Sequence, residues 1–138
     1  MDNNVHRLKP RADSEKITIN VGFVDLGNID LLVREGFFAN RSDFIRTAIR
    51  NQIERHSEAT QRSQVRSALD LGIRHFTRSQ LEDAVAQGIM LDINVLGLAT
   101  IADDVPADLA RRTIRSVTVL GAFHASTAVK TALADRTG

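Results

Sequence analysis

The eight residues Glu15-Lys16-Ile17-Thr18-Ile19-Asn20-Val21-Gly22 constrain this chain more than any other stretch. Ile17, Ile19 and Val21 alternate with Lys16, Thr18 and Asn20. A period of two marks a strand with one apolar and one polar face. The residues that follow have a helical pattern, so the strand has no neighbour close in sequence. A lone strand leaves its backbone N–H and C=O groups unpaired. The nearest candidate to pair with it is the same strand of a second chain.

Two helices are expected next. The first runs from Leu26 to Glu35, with Asp25 as its cap and Leu26, Ile29, Leu32 and Val33 on one face. Gly36 supplies the left-handed residue that ends it, and Gly27 is a weak spot inside it. The second helix runs from Arg41 to about His56. Asn40 is a good N-cap, Asp43 suits a first turn, and Phe44, Ile45, Ala48, Ile49 and Ile53 form an apolar stripe. Phe37 and Phe38 read as core or turn-packing residues.

Residues 57–88 read as a helical linker or further helices. The spacing of Val65, Ala68, Leu69, Ile73 and Phe76 predicts one helix over Val65–Phe76, and Thr77 or Ser79 caps another through Ala86, closed by Gly88. The last third changes character. Ile93-Asn94-Val95-Leu96-Gly97 recurs as Val117-Thr118-Val119-Leu120-Gly121, an offset of 24 residues that Val105 and Val129 also keep. Pro106–Thr113 between the copies suits a short helix. A two-copy repeat of this kind predicts a C-terminal α/β or short solenoid-like domain over residues 89–138. Two rungs bury little and leave open ends, which another copy would cover. The expected fold class is therefore α+β.

The order of strand, helix, Gly turn and capped helix resembles the ribbon–helix–helix family of DNA-binding proteins. The matching residues are Lys16-Ile17-Thr18-Ile19-Asn20-Val21, then Gly36, then Asn40-Arg41-Ser42-Asp43-Phe44-Ile45-Arg46-Thr47-Ala48-Ile49-Arg50. The resemblance covers residues 15–56. Gly22 departs from it, since many relatives carry Pro or another residue there. The resemblance implies an intertwined β-α-α dimer whose strands pair antiparallel. Elementary physics agrees, because residues 15–56 are too few for a comfortable monomeric core, while merging two copies buries Ile17, Ile19 and Val21 over four helices. An obligate homodimer is expected.

In such a dimer Lys16, Thr18 and Asn20 would enter the major groove of double-stranded DNA. Lys donates to guanine, Asn bonds adenine, and Thr meets a base edge or a thymine methyl. The N–H groups of Arg41 and Ser42, capped by Asn40, would meet a phosphate. Residues 1–14 read as a flexible basic arm in which Arg7, Lys9 and Arg11 would add phosphate or minor-groove contacts. Each reading has a plainer rival: the wet face of a strand for Lys16, Thr18 and Asn20, a simple cap for Asn40 and Ser42, and solvated cations for the arm.

Composition narrows the alternatives. The chain has 138 residues and a net charge of +1, with 13 basic and 10 acidic residues in 1–80 against 5 and 7 in 81–138. A weakly basic front permits DNA binding without demanding it. There is no cysteine, so disulfides and thiolate metal sites are excluded. Nickel-responsive members of the family join this module to a metal domain. Here His6, His56, His75 and His124 are scattered, so neither a metal nor another cofactor is expected. No phosphate loop, nucleophile elbow or His-Glu-x-x-His appears, and Asp103-Asp104 reads as a solvated turn, so no catalytic residues and no enzyme activity are expected. The N-terminus lacks the apolar core of a signal peptide and no long apolar run occurs, so the expected location is cytoplasmic, on the nucleoid, without a membrane partner. The reading is a sequence-specific transcriptional regulator, a repressor, acting as a dimer or higher oligomer. Its rivals are the antitoxin of a toxin–antitoxin pair, with a toxin as partner, and a structural self-assembling protein that uses the ribbon only to dimerise. Residues 89–138 would mediate assembly or sense a small molecule.

Overall fold

The computed structural model describes residues 14–138, which contain both helices and strands and fall into two units, the first ending at Arg55 and the second beginning at His56. Residues 1–13, with His6, Arg7, Lys9 and Arg11, lie outside the described residues.

In the first unit residues 16–22 belong to no helix and pair with no strand among the described residues. Helix α1 spans Phe23–Arg34 and is N-capped by Gly22, so it starts a turn earlier than the sequence predicts and Asp25 sits in its first turn instead of capping it. Its end follows the expectation. Gly36 has φ +88°. The Gly36 N–H donates to the Val33 carbonyl at 3.1 Å, and the Phe37 N–H donates to the Leu32 carbonyl at 3.0 Å. This paired pattern satisfies two of the helix's orphan carbonyls. Helix α2 spans Arg41–Arg55. The Asp43 N–H donates to Asn40 Oδ1 at 2.8 Å, and Asp43 Oδ2 accepts from the Ala39 N–H at 2.9 Å, a reciprocal cap. Phe38 and Phe44 meet edge to face, with centroids 5.1 Å apart. Phe37, expected to pack, is exposed in the single chain.

Among this unit's described residues Ile29 is the one buried hydrophobic residue, and α2 has none. The apolar stripe of α2 is open to solvent at Ile45, Ile49 and Ile53.

The second unit is built of strand–helix repeats. Helix α3 covers Ser57–Arg66, and strand β1 covers Asp70–Phe76. The single helix predicted over Val65–Phe76 is therefore wrong beyond Arg66. Leu69, Ile73 and Phe76 satisfy helical spacing, but parallel pairing of β1 with Val95–Ile101 decides the outcome. Helix α4 spans Arg78–Gln87 with a full capping box between Thr77 and Gln80, and Gly88 closes it in the left-handed region. Strand β2 is Leu91–Ile101, helix α5 is Ala107–Thr113, strand β3 is Ile114–His124, and helix α6 is Thr127–Ala132, followed by a 3-10 turn over Ala134–Arg136.

The three strands form one parallel sheet in the order β1-β2-β3. The two similar segments lie side by side, Ile93 opposite Val117 and Gly97 opposite Gly121. The sequence reading missed a third rung: Leu71-Gly72 aligns with Leu96-Gly97. One face of the sheet carries Ile93, Val95, Ala99, Ile101 and Val117 into a core completed by Leu81, Leu109, Val129 and Leu133. Val105 and Val129, which share the 24-residue offset, are both buried in it. Thr113 is the buried polar residue of this core, and its hydroxyl donates to the Leu109 carbonyl at 2.7 Å.

Candidate nucleic-acid interface

The alternation of residues 16–21 sets out the candidate site. Lys16, Thr18 and Asn20 are all exposed. Their apolar neighbours are exposed as well, Ile17 at 74% and Ile19 at 67%. Two isoleucines bared to this degree are costly in water, at about 25 cal/mol per Å² of apolar surface. The same holds for Phe23 and Val24 at the start of α1 and for Ile49 and Ile53 on α2. Apolar side chains of the segment before α1 and of α2 are thus both left uncovered by the described residues of the first unit.

The start of α2 is organised differently. A helix leaves its first N–H groups without intrahelical acceptors and concentrates positive dipole there. Asn40 has already satisfied the Asp43 N–H, so its side chain is committed to the cap. The N–H groups of Arg41 and Ser42 remain for an outside acceptor. The Arg41 side chain is turned elsewhere: its guanidinium grips Asp30 of α1 through Nε–Oδ1 at 2.8 Å and Nη2–Oδ2 at 2.9 Å. That fork lowers the Asp30 pKa from its ordinary value and raises that of Arg41, in both cases chiefly through the hydrogen bonds. Arg41 therefore offers its backbone, while its charge serves to tie α2 to α1. Sequence reasoning missed Asp30, because a contact across 11 residues and a turn leaves no periodic trace. Ser42 is exposed.

The remaining singled-out residues gather at no site. His75 Nδ1 hydrogen-bonds Thr100 Oγ1 on the neighbouring strand. Among the described residues no three His, Asp or Glu side chains group as metal ligands do. Asp103 and Asp104 are exposed in the turn after β2. Among the described residues Asp92 is the most strongly perturbed acid. Bonds from Arg115, with Nε–Oδ1 at 3.0 Å, and from the Ser116 hydroxyl at 2.7 Å hold its pKa down at about 2. These bonds join β2 to β3 and are structural. The groove between α4 and α5, lined by Arg78, Glu82, Val85, Pro106, Leu109 and Arg112, encloses about 170 Å³. Arg78 and Arg112 are already paired there with Glu82 and Asp108. No helix among the described residues is long and apolar enough to cross a membrane.

No curated protein and no solved structure matches the chain. A family model does, over residues 12–130, so the match begins before the alternating segment and runs on through α1, α2 and the parallel sheet of the second unit. This match, over most of the chain, places it in the ribbon–helix–helix transcriptional regulator family.

Proposed function

We propose that this protein is a sequence-specific DNA-binding repressor that acts as a homodimer, with Lys16, Thr18 and Asn20 reading bases from a two-stranded antiparallel ribbon in the major groove. The observation that carries this reading is the exposure of Ile17 and Ile19, which alternate in sequence with the three polar residues. Pairing with the same segment of a second chain satisfies the backbone and buries the isoleucines in one step, and it leaves Lys16, Thr18 and Asn20 as the only side chains the ribbon offers outward. The backbone N–H groups of Arg41 and Ser42 clasp a phosphate on each side and fix the ribbon's register without reading sequence. Asn40 acts by holding that turn. Arg7, Lys9 and Arg11 add charge to the clasp.

The protein needs no catalytic group or cofactor for this role. An antitoxin commonly relies on a tail that orders on its partner, whereas residues 70–124 here build a sheet with a buried core, which supports an assembly domain. A sensing role has less support, since a groove of about 170 Å³ with its charges paired falls below the roughly 300–1,000 Å³ of small-molecule sites.

Selection from a pool of random-sequence duplexes tests the reading. The full-length protein is expected to enrich one motif with two-fold symmetry, with affinity that falls steeply with salt. Lys16→Ala combined with Asn20→Ala is expected to bind duplexes without enriching any motif. A wild-type protein that enriches nothing, or binding that ignores salt, would overturn the assignment.

A further inference from the structure

We propose that the second unit joins copies of this chain head to tail, the outer edge of β1 taking up residues 119–123 of β3 from a second copy as the next parallel strand. The proposal goes beyond DNA binding and holds whether or not the ribbon reads bases.

The glycine ladder supplies the first observation. Gly72, Gly97 and Gly121 stand in one row across the sheet, with φ of +124°, +142° and +123°. A Cβ on Gly97 would lie 2.1 Å from the carbonyl oxygen of Gly72, and one on Gly121 would lie 2.1 Å from that of Gly97. Each glycine thus makes room for the carbonyl of the strand before it. Gly72 has the same backbone form, yet nothing stands within 4 Å of its Cβ position. The slot is present and empty on the edge strand. A strand of the same kind, carrying its own glycine carbonyl at that row, fills it.

The second observation is which part of β3 is available. Thr137 bridges Val117, and the Gly138 N–H donates to the Val117 carbonyl at 2.9 Å, so the C-terminal tail covers that point of the outer edge. Residues 119–123 have no pairing strand on that side among the described residues. Placing Gly121 of a second copy opposite Gly72 sets Asp70 opposite Val119 and Arg74 opposite Phe123, by the register that β1 keeps with β2 and β2 with β3. The contact therefore begins just past the tail. The tail blocks the residues that β1 is too short to use.

The third is side-chain continuity. Leu71, Leu96 and Leu120 form one row, with Leu71 72% and Leu120 53% exposed at its two ends. Ile73 begins the neighbouring row and is 69% exposed. An edge strand with bare apolar residues invites pairing, and stacking covers both ends with the residue type already beside them. A head-to-tail contact of this kind is heterologous, so it builds open chains unless its rotation closes a ring.

The 138-residue chain carries no cysteine, which permits a cross-linking test. Neighbouring strands lie about 4.8 Å apart, within disulfide reach, while β2 separates residues 71 and 120 inside one chain. Leu71→Cys with Leu120→Cys is expected to give, on mild oxidation, a ladder of covalent dimers, trimers and larger species. Either single variant is expected to give none. Absence of a ladder overturns the proposal, and so does a dimer from Leu71→Cys alone, which would show β1 paired with β1. A second set guards against a folding defect. Leu71→Lys and Leu120→Glu should each lower the light-scattering mass at least about twofold, and the combined variant should restore it through Lys–Glu pairs across the contact. Unchanged mass in both single variants overturns the proposal equally.

Discussion

At the scale of single residues, Arg41 shows why side-chain identity and functional role are separate matters. Its guanidinium belongs to Asp30, so the proposed phosphate contact depends on its N–H. Proline is well tolerated at the first position of a helix and has no N–H. Arg41→Pro is therefore expected to bind DNA roughly tenfold more weakly than Arg41→Ala, the scale of one hydrogen bond to a charged acceptor, with little difference in melting temperature between them. Equal affinities in a titration of both variants would remove the backbone clasp. Asp92 yields a prediction about pH. Its carboxyl is held at about 2 by Arg115 and Ser116, below its ordinary value of 3.8. A carboxylate depressed by folding adds stability that is fully present above the unfolded value and is lost as pH falls through the folded one. Asp92→Asn is thus expected to melt below the wild type at pH 7, with the gap closing between pH 4 and pH 2. A gap constant down to pH 2 in thermal melts would show that the Arg115 contact adds nothing.

Among the elements, those whose causes are local were legible in the sequence and those with distant causes were not. The Asn40 cap and the Gly36 terminator each act within a few residues, and the first unit's two helices follow from them. β1 was hidden because Leu69, Ile73 and Phe76 fit a helical period, and only pairing with Val95–Ile101 settles the matter. The candidate site divides the same way: Lys16, Thr18 and Asn20 stand out by periodicity, while the grip of Asp30 on Arg41 had no signal. Two glycines should respond in opposite directions. Gly27 sits exposed within α1 with nothing within 4 Å of a Cβ, so Gly27→Ala is expected to stabilise the protein by about 1 kcal/mol. Gly121→Ala meets the Gly97 carbonyl at 2.1 Å and is expected to lower the melting temperature of the second unit sharply. Asn40→Ala should cost about 1 kcal/mol through the lost cap. Denaturant titrations read all three, and a destabilising Gly27→Ala would contradict the helix assignment there.

For the whole molecule, Ile29 is buried among the first unit's described residues while Ile17, Ile19, Ile49 and Ile53 stay exposed, and the proposed ribbon dimer would cover them. Unfolding of the first unit should then depend on protein concentration, and Ile19→Asp should abolish ribbon pairing and DNA binding while the core around Ile93 and Val117 and any contact through the second unit persist. A distance between protomers reads the ribbon itself. With a spin label on Thr18→Cys in the full-length protein, antiparallel pairing brings the two labelled backbones within roughly 10 Å of each other, given strands about 4.8 Å apart and a rise of about 3.3 Å per residue. Pulsed dipolar spectroscopy should show a short, narrow distance at the limit of the method, with continuous-wave broadening. A broad distribution centred far beyond that, or no coupling between protomers, would mean that the segment does not form a ribbon and that Lys16, Thr18 and Asn20 have no common platform.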